Sequence, residues 1–469
     1  MSAAATPTPS ARPASPSPAA PLLTGPVLPL LVRFALPNLG GLLASALAAM
    51  AETYFVGRLG PDALAGMALV FPMVMLQMML SAGAMGGGVS SAISRALGAG
   101  APERAQALAV HALWIGVAAG SVYLLLMRLF AAPLFTLLGG RGAALQQALA
   151  YADVAFLGSV FIWIVNTLSS VLRGCGRMGV PSAVLLVVAV AQVLLAGALG
   201  LGWGPLPALG MAGIAAGSVL AYAAGALALF AYLQSGRGGL TLALRGTRLQ
   251  RPMFVDILRV GAVACVSPLQ TVLTILILTR LVAPFGTAAL AGYGIGARLE
   301  FLLVPMAFSI GVASVPLVGM AIGAGQVARA RRVAWTAAAL ATALVGTIGV
   351  VFALWPGLWT HLFTQDAAVL DAAATYFHWA GPCYGLFGLG LSLYFSSMGS
   401  GKVLGPVLAG TLRLVLVAAG GLALVLLQAP AWSIYALVAL GMAAYGGSTA
   451  LAVWFTAWGA RPAVASRTS

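Results

Sequence analysis

Ionisable side chains are scarce along this chain, and that scarcity makes each of them informative. There are eight acidic residues in 469: Glu52, Asp62, Glu103, Asp153, Asp256, Glu300, Asp366 and Asp371. Most sit where apolar runs end. Glu52 lies inside one, ASALAAMAETYFVG, where an ionisable group is costly and functional by default. An apolar surround disfavours its charged form, so such a carboxylate can take up a proton in one state and release it in another. Arg298 and Glu300 form a second pair of charges expected to be buried in an apolar run. Two residues apart on a helix, they do not face each other. Tyr293, a turn or so earlier, could line the same space or anchor the helix at the membrane interface. Pro37, fifteen residues before Glu52, removes a helix hydrogen bond and can bend the helix that carries the acid. No catalytic constellation accompanies these residues. His111, His361 and His378 are far apart and have no metal-ligand spacing, so neither a metal nor a cofactor is expected. Gly86–Gly88 lack the Lys-Ser/Thr of a phosphate loop, which argues against ATP hydrolysis, and the chain is not expected to be an enzyme.

The elements that must hold these groups follow from composition. The chain is 61% apolar and 7% charged, with a mean hydropathy of +1.04. A soluble domain carries about 25% charged residues, so a soluble enzyme, a nucleic-acid-binding domain and a disordered protein are excluded. The expected class is an all-α polytopic membrane protein, since a helix satisfies its own backbone hydrogen bonds in lipid. Twelve apolar blocks are read, at about 30–57, 63–97, 104–130, 144–173, 180–202, 208–234, 254–281, 288–321, 330–356, 369–398, 404–427 and 431–459. They divide the chain into a Pro/Ala/Ser-rich tail expected to be disordered (1–29), an N-lobe (30–234), a polar linker (235–253), a C-lobe (254–460) and a short tail (461–469). The net charge of +15 comes from singly scattered arginines, so no nucleic-acid partner is expected. Of the 23 basic residues, 17 fall on the side that holds both termini, which predicts cytoplasmic termini by the positive-inside rule. Cys175, Cys265 and Cys383 read as small core residues rather than a disulfide framework.

The halves repeat. GPDALAG (60–66) matches GTAALAG (286–292), LGAGAPERA (97–105) matches IGAGQVARA (322–330), and GCGRMGVP (174–181) matches GSGKVLGP (399–406). The offset is 225 or 226 throughout, and Tyr151 and Tyr376 fall in the same register. Six spans separate equivalent points, so this is a parallel repeat about an axis along the membrane normal.

AETYFVGRLGPDALAG resembles the signature ending the first span of multidrug and toxic compound extrusion (MATE) transporters. APFGTAALAGYGIGARLEF, LRGCGRMGVP and LGWGPLPALGMAGIAAGS are similar to further stretches of that family, over about residues 30–460. The resemblance implies twelve transmembrane helices in two six-helix lobes and a V-shaped cavity with alternating access. It also implies antiport of amphipathic, often cationic, compounds against protons or sodium. Glu52 stands at the family's first-span acid, and Pro37 at a proline proposed to bend that helix. Asn166 stands at an amide that often faces the cavity; its partner is either a carboxylate such as Glu52 or a neighbouring helix in a packing hydrogen bond. Gln192 replaces the Asn of an "N-x-x-L-D" pattern, and Ala196 replaces its acid. Thr271 stands where sodium-binding members carry an acid. A single N-lobe carboxylate suits a proton better than a cation wanting several oxygen ligands. The methionines of the second span could adapt to varied substrates or fill an ordinary core. The expected protein is a monomeric exporter in a bacterial inner membrane, with Asn166, Gln192, Tyr293, Arg298 and Glu300 at the substrate cavity. The alternative is a flippase for lipid-linked oligosaccharides, which would carry more cations along its cavity.

Overall fold

The computed structural model describes residues 20–244 and 248–459. Twelve helical spans run in chain order: Val27–Arg58, Pro61–Gly98, Pro102–Leu137, Gly142–Gly174, Gly179–Leu201, Gly210–Gln234, Arg251–Phe285, Thr287–Gly323, Val327–Leu354, Ala367–Ser400, Leu404–Leu426 and Ala431–Phe455. They are numbered span 1 to span 12 below. Eleven are long and apolar enough to cross a membrane. The other, span 10, is rich in Gly, Ser and Tyr and stands where span 4 stands in the first half. Leu and Val side chains exposed along most spans form the surface that faces lipid. Spans 2 and 3 begin with Pro in the first turn, where the missing N–H costs nothing.

The sequence repeat reappears as a repeat of irregularities. Span 4 tightens to a 3-10 turn at Phe156–Gly158, and span 10 does so at Gly381–Cys383, 225 residues on. Other breaks are private to one half. Span 2 widens into a π-helix at Met79–Met85, a device that frequently marks functional sites. Span 7 breaks at Cys265 because Pro268 cannot donate to the carbonyl of Ala264. The hydroxyl of Tyr394 donates to that carbonyl instead, at 3.2 Å.

The halves meet along one end of the molecule. Gly86–Gly98 of span 2 packs against span 8, and span 1 and span 10 join the same seam. Its centre is a crossing of repeat mates. A Cβ on Gly98 would lie 2.1 Å from the carbonyl oxygen of Met320, and one on Gly323 would lie 2.1 Å from that of Arg95. Glycine is required at both positions because backbone touches backbone. Asp256 of span 7 closes the same end, pairing with Arg95 at 2.8 Å and Arg104 at 2.7 Å. At the opposite end, the Pro61–Met78 part of span 2 packs on span 4 rather than on span 8.

One expectation changes in detail. Residues 20–29 do not belong to a structureless tail. Ala20–Thr24 is a short helix, Val27 already starts span 1, and Arg329 donates to the carbonyls of Leu22 (3.0 Å) and Gly25 (2.6 Å). The rest of that tail and residues 461–469 lie outside the described residues. The polar linker is fastened to the first half. Gln106 donates to Thr241 at 3.2 Å, and the backbone N–H of Gln250 donates to His111 Nε2 at 2.8 Å. His111 Nδ1 lies 2.6 Å from the carbonyl of Ala107. That network assigns the ring hydrogen to Nδ1.

Candidate functional site

Glu52 is 5% exposed, on the face of span 1 that packs against spans 5 and 6. Gln192 of span 5 donates to its Oε2 at 3.0 Å. The hydroxyl of Ser218 in span 6 donates to its Oε1. Tyr151 of span 4 and Tyr222 of span 6 lie alongside the carboxyl group. No cation joins the cluster: the ion pairs among the described residues are Arg95–Asp256, Arg104–Asp256 and Arg128–Asp153. Glu52 is thus a carboxyl group drawn out of water and held by neutral donors alone. A buried charge without a counter-ion is expensive, and hydrogen bonds offset part of that cost. Such a group is poised to exchange a proton or to receive a cation.

The second half builds a related cluster from different helices. Leu278, the repeat mate of Glu52, is buried in the apolar core. The carboxylate comes instead from Glu300 of span 8, whose Oε1 accepts from the hydroxyl of Tyr376. Tyr376 is the repeat mate of Tyr151, so each half sets a carboxyl group against the equivalent tyrosine.

Several expected site residues sit elsewhere. Asn166 does not reach Glu52: its amide donates to Ser81 Oγ at 2.8 Å, tying span 4 to the π-helix of span 2. That is a helix-packing bond. Arg298 is exposed rather than buried, with its guanidinium 5.1 Å from the Phe363 ring centroid. Glu300 is half-buried and not paired with Arg298, as their spacing on one helix requires. Tyr293 is enclosed in the core of the second half. It is 7% exposed and packs edge-on against Tyr376, ring centroids 5.7 Å apart. Span 1 runs through Pro37 without interruption. Met67 and Met85 of span 2 are core residues.

Sequence reasoning missed Ser218, Tyr222 and the role of Tyr151. The register of Tyr151 with Tyr376 was the one available signal. Nothing in the neighbourhood of Ser218 sets it apart from other small residues of an apolar helix.

Comparison with known proteins agrees with this architecture. The MatE family model matches residues 37–197 and 263–422, one match in each half. A FAD transporter of Shewanella oneidensis is 25% identical over 78% of this chain and 81% of its own length. The multidrug export protein MepA of Staphylococcus aureus is 26% identical over 74% of this chain and 76% of its own. A crystal structure of a MATE protein in complex with MaD3S superposes with a TM-score of 0.84 at 23% identity, covering 94% of this chain and 98% of that one. With both halves matched and the twelve-span, two-lobe layout in place, this chain belongs to the MatE family of multidrug and toxic compound extrusion transporters.

Proposed function

We propose that the protein is a secondary active exporter of amphipathic small molecules, driven by proton entry, with Glu52 as the group that carries the proton. The observation behind this reading is the Glu52 cluster: an enclosed carboxyl group, two neutral hydrogen-bond donors, two tyrosines alongside and no cation. A carboxyl group so placed can bind a proton without a second acid nearby. A sodium ion would look for several oxygen ligands, and Ala196 and Thr271 stand where further acids would supply them. The names of the relatives support small-molecule transport and differ in cargo, one being a FAD transporter and another a multidrug export protein.

The orientation is part of the proposal. The seam that closes the lobes carries Arg95, Arg104 and Asp256 and lies at the arginine-rich end. With that end in the cytoplasm of a bacterium, the conformation described here opens outward, where Glu52 would meet the external proton. Protonation would remove the charge that Gln192 and Ser218 now stabilise and favour substrate release. Return of the lobes would deliver the proton inward. A monomer suffices, because both clusters lie within one chain.

The test is exchange in proteoliposomes under an imposed proton gradient, then a sodium gradient. Glu52→Gln should abolish gradient-driven dye efflux while leaving the protein inserted. Normal exchange by that variant would refute the role of Glu52, and efflux driven only by sodium would refute proton coupling.

A further inference from the structure

Arg413 is unexplained by the transport reading. It lies near the middle of span 11, ten residues into a helix of 23, at the depth where a charge is most costly. Its side chain points toward span 12: a Cβ on Gly441 would lie 3.6 Å from its Cγ. The guanidinium sits 5.5 Å from the ring centroid of Phe387 and 6.0 Å from that of Tyr445. These cation–π contacts hold the charge but use none of its five N–H donors. Among the described residues, no carbonyl, hydroxyl or carboxylate takes a hydrogen bond or ion pair from it. The neighbouring acid, Glu300, is held by Tyr376 and stops short of an ion pair. Phe387 also borders a hole about the size of one water, lined further by Glu300, Tyr384 and Met442. The site thus combines a fixed, half-buried guanidinium with unspent donors and the half-buried ring of Phe387, backed by the buried ring of Tyr445.

We infer that Arg413 is an anion-recognition group, and that the C-lobe takes the carboxylate or phosphate of an aromatic substrate whose rings lie against the half-buried ring of Phe387. This rests on the export reading and narrows its substrate class. A guanidinium binds such groups through two parallel N–H···O bonds, which adds direction to the charge attraction. Glu52 and Glu300 are both occupied by protein donors. Arg413 therefore presents the larger unsatisfied demand to an incoming molecule.

The probes are riboflavin and riboflavin 5′-phosphate, which share one ring system and differ by the anion. They are titrated by flavin fluorescence against the full chain in nanodiscs. The wild type should bind the phosphate at least about tenfold more tightly. The preference should vanish in Arg413→Gln, survive in part in Arg413→Lys, and persist in Arg298→Gln. Equal binding of the two flavins by the wild type would overturn the inference. So would a preference that survives Arg413→Gln or follows Arg298. If Arg413→Gln does not assemble, the wild-type pair together with Arg413→Lys and Arg298→Gln decides. Ethidium efflux by the wild type, measured in parallel, separates the two readings. Efflux without a flavin preference removes only the role of Arg413, whereas loss of gradient-driven efflux removes the export reading itself.

Discussion

The seam between the lobes offers a perturbation whose size can be read from the structure. Gly98→Ala places a Cβ 2.1 Å from the carbonyl oxygen of Met320, and its mate Gly323→Ala places one 2.1 Å from that of Arg95. Ordinary contact begins near 3.4 Å, so spans 2 and 8 must part by roughly 1 Å, and neither obstacle is a side chain that can turn away. Overpacking of this kind costs about 1–3 kcal/mol. The cost falls on the closed seam alone, because in a conformation open at this end the added methyl meets no opposing helix. Each substitution should therefore move the balance toward that open state by about 5- to 150-fold, and the two should act alike because they are repeat mates. Spin labels on Glu103 and Gln326, exposed residues just beyond spans 2 and 8, with the three cysteines replaced by alanine, report the opening as a longer distance by pulsed electron resonance. Unchanged distances in both variants, in protein that remains assembled, would refute the claim that this glycine crossing sets the closed state.

Two further outcomes follow from polar contacts outside the proposed coupling site. Asp256→Ala strands Arg95, whose side chain is only 18% exposed, and frees Arg104. Stranding one partner of a fully buried pair costs about 3–5 kcal/mol, and partial exposure here reduces that to roughly 1–3. The unfolding midpoint in detergent should fall by several degrees, and an unchanged midpoint would show that solvent already screens the cluster. His111→Phe removes the acceptor of the Gln250 N–H, at a cost of about 1–3 kcal/mol. Trypsin should then cut the linker faster at Arg248, and an equal cleavage rate would mean that the linker is held by its other contacts.

Much of the architecture was legible in the sequence because lipid leaves few solutions. Runs of about 20 apolar residues in a chain with 7% charge can only be helices, and the constant offset of 225 carries through to the paired 3-10 turns of spans 4 and 10. Glu52 stood out for the same reason, as an acid inside an apolar run. The companions of that acid were less legible. Gln192 was named, but Ser218, Tyr151 and Tyr222 come from spans 4 and 6, and one Ser or Tyr in a membrane helix resembles many others. Of the two readings of Asn166, a partner for Glu52 or a helix-packing bond, the structure shows the second, a choice that family resemblance could not decide. The partner of Asn166, Ser81, lies within the π-helix at Met79–Met85.

By itself the sequence determined the number of spans, their pairing by repeat and the few charges within them, since these depend on composition and periodicity along one chain. The tertiary structure decided which charges are enclosed and which are paired. Arg298 and Glu300 are two residues apart yet meet different partners, Phe363 on one side and Tyr376 on the other. It also decided that the carboxyl group of the second lobe comes from span 8 rather than from the repeat mate of Glu52. Helix rotation and lobe packing fix these outcomes, and both are set by contacts between residues more than a hundred positions apart, as between Glu52 and Gln192.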